Sequence, residues 1–305
     1  MKKFINSAWG NFKIFKNGID NWFHVALNMF ILKKGVNCKI RNIGEVRLKE
    51  GKNYLNSSLF RALVFSNTKD LSPDQFDLLK NYLPQIDNDV IDLINYEDKH
   101  QFKFLNYEIS TVFESFLYGD YDYVPYTDNE SLIDIGGNIG DTAIYFANKG
   151  YQVYAFEPVP FIYEKGVENI NLNPSLKDKI TFVNKACSCK KGFSTINFNV
   201  NDPAGASEFK EASQSVKIEN TTISDIINDY NIKPNILKID CEGCEVNIVK
   251  HSDLSMFKEI ILEYHTNITG VDENILIDIL KNQGFELKNQ VKFKQNGMGI
   301  IHMVK

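Results

Sequence analysis

Three short runs concentrate the chemistry of this chain: Asp134-Ile-Gly-Gly-Asn-Ile-Gly140, Asp240-Cys-Glu-Gly-Cys-Glu245 and Glu263-Tyr-His265. In the first, Gly136, Gly137, Asn138 and Gly140 follow an apolar run and precede a helical pattern. Such a turn lets the backbone approach a ligand closely and offers the N–H groups of a helix start. Its order is G-G-N-I-G, which misses the G-x-G-x-x-G spacing that a dinucleotide pyrophosphate needs.

Glu157 closes the next apolar run about 20 residues after the turn, where an acid reaches the two hydroxyls of a ribose. Asp134, at the foot of the turn, disfavours phosphate, because two anions in a desolvated cleft repel. A ribose with positive charge and no phosphate satisfies both acids. S-adenosylmethionine has a ribose, an ammonium group and a sulfonium.

The other two runs place acids at apolar strand ends. If the strands are neighbours, about 4.8 Å apart, Asp240, Glu242, Glu263 and His265 converge beside such a ligand. Methyl transfer to an alcohol needs the oxygen held near the methyl and its proton accepted. His265, with an unperturbed pKa of about 6.5, is the first choice for that base and Asp240 the second. In the alternative reading Asp240, Glu263 and His265 bind a divalent ion that lowers the pKa of the hydroxyl. Glu242 and Glu245 also suit the start of a helix, where acids match the dipole.

Cys241 and Cys244 invite a zinc or redox reading, with Cys187 and Cys189 available to complete four ligands. A sheet in the order 3-2-1-4-5 keeps the two pairs about 14 Å apart, so no zinc site is expected. Five cysteines without a secretion signal read as reduced thiols, and Cys241 and Cys244 as small buried residues.

The elements that must position these residues are legible from periodicity. From Leu132 onward LIDIG, DTAIYFANKG, YQVYAFEP, FIYEKGVENINLN and KITFVNKA alternate strand-like and helix-like patterns. The rhythm resumes with SDIINDYN, ILKID, EVNIVKHS and EIILEYH, and closes with a helix and two strand-like runs, FELKNQVKF and GIIHMVK. This predicts an α/β fold: a Rossmann-like, seven-stranded, mostly parallel sheet with helices on both faces. NVNDPAGASEFKEASQSV, from Asn199 to Val216, interrupts the rhythm and reads either as a loop over the acceptor pocket or as a solvated hairpin.

Residues 1–120 form a mixed helical and strand accessory segment, on the substrate side, and residues 121–305 the catalytic domain. The aromatic opening NWFHVALNMFILKKG is expected to pack on that domain in preference to a membrane surface. Tyr118, Tyr121 and Tyr123 read either as a wall for a sugar face or as ordinary packing.

A net charge of −5, with Arg41, Arg47 and Arg61 the only arginines and all upstream of the glycine turn, excludes a nucleic-acid binder carried by bulk charge. No run of about 18 apolar residues is present and the opening MKKFINSAWGNFKIFKNG lacks a signal-like core, so a cytoplasmic protein without a transmembrane segment is expected. Oligomeric state is not readable.

Residues 105–305 resemble the FkbM-like family of class I S-adenosylmethionine-dependent methyltransferases. The resemblance rests on VFESFLYGDYD, LIDIGGNIGDTAIYFA, VYAFEPVPFIYEKGVENINLN, ITFVNKACS, ILKIDCEGCE and IILEYH. It implies methylation of a hydroxyl on a sugar, glycan, polyketide or similar polar metabolite. It also implies a cofactor loop of Asp134, Gly136, Asn138 and Gly140, a ribose held by Glu157, and adenine near Asn184 to Ala186; Gly137, Asp141, Pro158 and Asp240 are the further candidate cofactor residues. Two other readings stay open: a nicotinamide-dinucleotide oxidoreductase, and a non-catalytic protein that keeps the cofactor fold.

Overall fold

The structure is a computed structural model that describes residues 14–52, 54, 57–199, 202–207, 214–293 and 297–305. The first thirteen residues and residues 208–213 of the interrupting segment lie outside the described residues. The chain divides into two units, Met1–Val124 and Pro125–Lys305.

In the first unit, helix α1 (Trp22–Ala26) runs into a π-helical stretch, Leu27–Leu32. Strands β1 (Val36–Ile40) and β2 (Gly44–Leu48) form an antiparallel hairpin, followed by α2 (Ser58–Ser66) and α3 (Pro73–Lys80). Ser72 caps α3 in a reciprocal capping box with Gln75, and Pro73 occupies the first turn, where its missing N–H costs nothing. A second hairpin, β3 (Val90–Ile94) with β4 (Gln101–Leu105), and helix α4 (Ile109–Phe116) complete the unit. Tyr121 is buried here, and the Tyr118 hydroxyl shares a 2.8 Å hydrogen bond with Ser66.

The second unit holds β5 (Ser131–Ile135), α5 (Asp141–Asn148), β6 (Gln152–Phe156), α6 (Pro160–Leu172) and β7 (Ile180–Val183). After an insertion come α7 (Ile223–Asp229), β12 (Ile236–Ile239), α8 (Glu245–His251) and β13 (Glu259–His265). Helices α9 (Thr266–Thr269) and α10 (Glu273–Asn282) then lead to β14 (Glu286–Lys292) and β15 (Met298–Val304).

The sheet order is β14-β15-β13-β12-β5-β6-β7, with β15 antiparallel to both neighbours and the remaining pairs parallel. The seven-stranded α/β expectation is met, closing hairpin included. All four residues of β12 are buried, which requires cover on both faces of the sheet. Its Leu237 and Ile239 join the core with Ile133, Ile135, Ile260 and Leu262.

Between β7 and β12 lies a second sheet, in the order β10-β9-β11-β8, made of β8 (Ala186–Cys187), β9 (Gly192–Asn199), β10 (Asp202–Ser207) and β11 (Gln214–Thr221). Of the two readings for the interrupting segment, the hairpin is the one found among the described residues. Phe198 on β9 packs on Phe161 of α6, with ring centroids 5.2 Å apart. The insertion is thus anchored four residues beyond Glu157. No helix among the described residues is long and apolar enough to cross a membrane.

Ile239, in the middle of the covered sheet, is fully buried. Ile239→Ala is expected to lower unfolding free energy by about 2–5 kcal/mol. Leu287→Ala on the exposed strand β14 should cost about 0.5 kcal/mol or less. Urea titration of the two variants checks the contrast.

Candidate active site at the carboxyl edge of the sheet

The glycine turn links β5 to α5 and is locked to the end of β6. Gly136 N–H and Gly137 N–H both donate to the carbonyl of Phe156, at 3.0 and 2.9 Å. Asn138 N–H donates to Glu157 Oε2 at 3.0 Å, and Gly140 N–H to the Gly137 carbonyl at 2.8 Å. These four amides are therefore used within the protein; the helix that follows starts at Asp141. Gly136 (φ +87°) and Gly140 (φ +76°) take the left-handed conformation, and so does Asn138 (φ +42°), one of the few other residues that tolerate it. A Cβ at Gly136 would stand 1.6 Å from the carbonyl oxygen of Asp240, so the turn and the end of β12 are pressed together. A Cβ at Gly137 would meet the Phe182 ring at 2.8 Å.

Asp134, read from sequence as a cofactor-loop acid, is paired inside the protein. It is fully buried, beside Lys238 in the β5–β12 register. Lys238 Nζ lies 2.9 Å from Asp134 Oδ1, donates to the Gly136 carbonyl at 3.2 Å and stands 3.8 Å from Asp240 Oδ2. Thr142 donates to Asp134 Oδ2 at 2.5 Å, fixing the first turn of α5, where Asp141 is also buried. Burial alone would lower the pKa of Lys238, but Asp134 and Asp240 outweigh it and raise the pKa above the ordinary lysine range. Sequence reasoning missed Lys238. The available signal was a lysine inside the apolar run ILKI, where a buried charge requires a partner.

Glu157 is buried at the end of β6. Its Oε1 accepts Val159 N–H at 2.8 Å and its Oε2 accepts Asn138 N–H. Desolvation outweighs both hydrogen bonds and pushes its pKa up to about 8. The Asn184 side-chain amide donates to the carbonyls of Glu157 and Pro158, at 2.8 and 3.0 Å, and so pins the turn that presents the acid. Ala186 lies in β8 in register with Asn220.

The predicted acids do converge. Glu263 and His265, two residues apart on β13, share a face. His265 Nε2 stands 3.7 Å from Glu263 Oε1, 3.8 Å from Glu242 Oε1 and 3.9 Å from Asp240 Oδ1. Glu245, read from sequence as a helix-start acid, is in the first turn of α8 but fully buried. Its Oε2 accepts Gly243 N–H at 2.7 Å, its Oε1 accepts His265 N–H at 3.1 Å, and Oε1 is 3.4 Å from Nδ1 of the same histidine. Burial would lower the pKa of His265; Glu245, then Asp240 and Glu242, raise it above the ordinary histidine value. Side-chain exposure falls from 31% at Asp240 through 22% at Glu242 and 17% at Glu263 to 1% at His265.

Cys241 and Cys244 are joined by a disulfide, which corrects the reduced-thiol reading. The turn after β12, with Glu242 at φ +53° and Gly243 at φ +117°, folds the chain back so that their Cα atoms are 5.5 Å apart, within disulfide range. Cys38, Cys187 and Cys189 are free, and no four-cysteine zinc site forms among the described residues.

Removing one partner of the buried pair leaves an uncompensated charge. Lys238→Met is expected to cost about 3–5 kcal/mol of stability. Adding Asp134→Asn should recover most of that loss, and chemical denaturation of the single and double variants checks it. A single variant as stable as the unmodified protein would show that the pair is not needed.

The profile of the family described as Methyltransferase FkbM domain matches residues 134–287, half of the chain. The hexuronic acid methyltransferase AglP of Haloferax volcanii is 25% identical over 158 residues, covering 50% of this chain and 64% of that protein. The chain thus spans less than two thirds of that relative. Methyltransferase sdnD of Sordaria araneosa is 25% identical over 224 residues, covering 59% of this chain and 85% of that protein. Among solved structures, Methyltransferase FkbM from Methylobacillus flagellatus KT aligns at 14% identity with a TM-score of 0.45, covering 81% of this chain and 55% of that one. The matched residues run from Asp134 past the strand-end acids, and on that match the chain belongs to the FkbM methyltransferase family.

Proposed function

We propose that this chain transfers a methyl group from S-adenosylmethionine to a hydroxyl of a sugar, a glycan or a similar polar metabolite. The carrying observation is the contact between Gly136 and the Asp240 carbonyl, which joins the proposed cofactor turn to the strand-end acids.

The residues suit the cofactor. Each Glu157 carboxylate oxygen accepts one backbone N–H, and a carboxylate oxygen has a second lone-pair direction for a hydroxyl donor. Two neighbouring ribose hydroxyls match that pair. A dinucleotide suits the turn poorly, since the amides of Gly136, Gly137, Asn138 and Gly140 are engaged within the protein and the G-x-G-x-x-G spacing is missing. When bound, S-adenosylmethionine supplies an electrophilic methyl on a sulfonium centre.

The chain's own residues then orient the acceptor and remove its proton. His265 is almost closed off, so a hydroxyl reaches Asp240 or Glu242 first, and one of these carboxylates takes the proton. Glu263 and His265 hold the other side of the cluster. A sugar hydroxyl as acceptor is supported by the activity named for the archaeal relative.

Two outcomes follow. Asp240→Asn should lower turnover with a methyl-accepting sugar acid by about 100-fold, while S-adenosylhomocysteine affinity changes little; loss of both together would contradict the division of roles. Radiolabel transfer and titration calorimetry supply the two readings. The second outcome concerns pH. Unliganded Glu157 holds its proton up to about 8, and hydroxyl donors favour its ionised form. Cofactor binding should therefore release a proton below that pH, so affinity for S-adenosylhomocysteine rises with pH toward about 8 and levels off above it. Calorimetry in buffers of different ionisation enthalpy checks the proton count.

A further inference from the structure

Nε2 of His265 is aimed at three carboxylates and hydrogen-bonds to none of them: 3.7, 3.8 and 3.9 Å all exceed a hydrogen bond. The imidazole is 1% exposed and is anchored from behind by Glu245, at its main-chain N–H and beside Nδ1. One ligand atom each from Asp240, Glu263 and His265 falls within 4.8 Å of the others. Ligand atoms about 2.1 Å from one ion stand roughly 3 to 4.2 Å apart, so the 3.7 and 3.9 Å gaps are ion-sized. Charge points the same way. Asp240, Glu242, Glu245 and Glu263 gather around this imidazole, and the nearby cation Lys238 lies 2.9 Å from Asp134 and 3.8 Å from Asp240.

We propose that Asp240, Glu263 and His265 bind a divalent cation, with Glu242 beside it as the proton acceptor. One imidazole with two carboxylates suits a first-row ion such as Mn²⁺ better than Mg²⁺, which takes oxygen ligands. Glu245 holds the main-chain N–H of His265 at 3.1 Å and stands 3.4 Å from Nδ1, on the side of the ring away from Nε2. The cation draws a lone pair of the acceptor hydroxyl and lowers the cost of losing its proton, which passes to the Glu242 carboxylate. This use of the ion rests on the methyl-transfer reading; the binding site does not.

The test uses the full chain after removal of metals with a chelator, with neither cofactor nor acceptor present. Mn²⁺ is titrated in and the free aqua ion is followed by electron paramagnetic resonance. The expected result is one saturable site per chain, weakened at least about tenfold in both Glu263→Gln and His265→Gln. An unchanged far-ultraviolet circular dichroism spectrum and urea midpoint show that the variants are folded. If either fails to fold, paramagnetic broadening of the His265 ring protons in the unmodified protein gives the reading. Absence of saturable Mn²⁺ binding up to millimolar concentration, binding unchanged in the variants, or unbroadened His265 signals would each overturn the proposal. Because no methyl donor or acceptor is present, failure here leaves the methyl-transfer reading standing, and failure of that reading leaves this one.

Discussion

The carboxyl edge of the sheet depends on one buried ion pair. Lys238 and Asp134 are paired in register on adjacent parallel strands, and both lie out of water. A charge in that position is tolerated only with its partner and with its remaining hydrogen-bonding capacity met. The partner is present, at 2.9 Å. Asp134 receives Thr142 from the first turn of α5, and Lys238 reaches the Gly136 carbonyl and approaches Asp240. One ammonium group therefore ties together the start of a helix, the glycine turn and the end of the neighbouring strand.

The same arrangement separates two electrostatic environments. On the turn side the negative charge of Asp134 is matched internally, while desolvation holds the pKa of Glu157 high, a state that hydroxyl donors would relieve. On the strand-end side the acids outnumber the cations. His265 sits among four carboxylates, fixed through Glu245 by contacts to its main chain and beside Nδ1. Such a cluster is costly unless positive charge enters it. A sulfonium nearby, a metal ion within it, or a protonated imidazole would each supply that charge.

Much of this was legible in the sequence, for physical reasons that can be named. The alternation of strand and helix periods from LIDIG onward predicts the parallel sheet, and GIIHMVK after FELKNQVKF predicts the closing hairpin. The convergence of Asp240, Glu242, Glu263 and His265 follows from two neighbouring strands that end at one edge. What was missed depends on contacts between distant residues. Asp134 reads as a ligand acid until Lys238, far along the chain and bonded to the Gly136 carbonyl, is seen to take its charge. Glu245 carries the signature of a helix-start acid, and only the approach of β13 gives it His265 to hold. The inserted sheet was not read: Ile196 and Phe198 on one strand, and Val216 and Ile218 on another, alternate with polar neighbours, but those strands pair across a segment of low periodicity.

The account stands or falls on whether the turn and Glu157 hold a nucleoside that carries no phosphate. Titration calorimetry of S-adenosylhomocysteine into the unmodified protein and into Glu157→Ala tests this directly, with the reduced nicotinamide dinucleotide as comparison ligand. The expected result is one-site binding by the unmodified protein, weakened at least about tenfold by loss of the acid's hydrogen bonds, and no binding of the dinucleotide. Folded, unmodified protein that fails to bind S-adenosylhomocysteine, or that binds the dinucleotide in its place, would contradict the account.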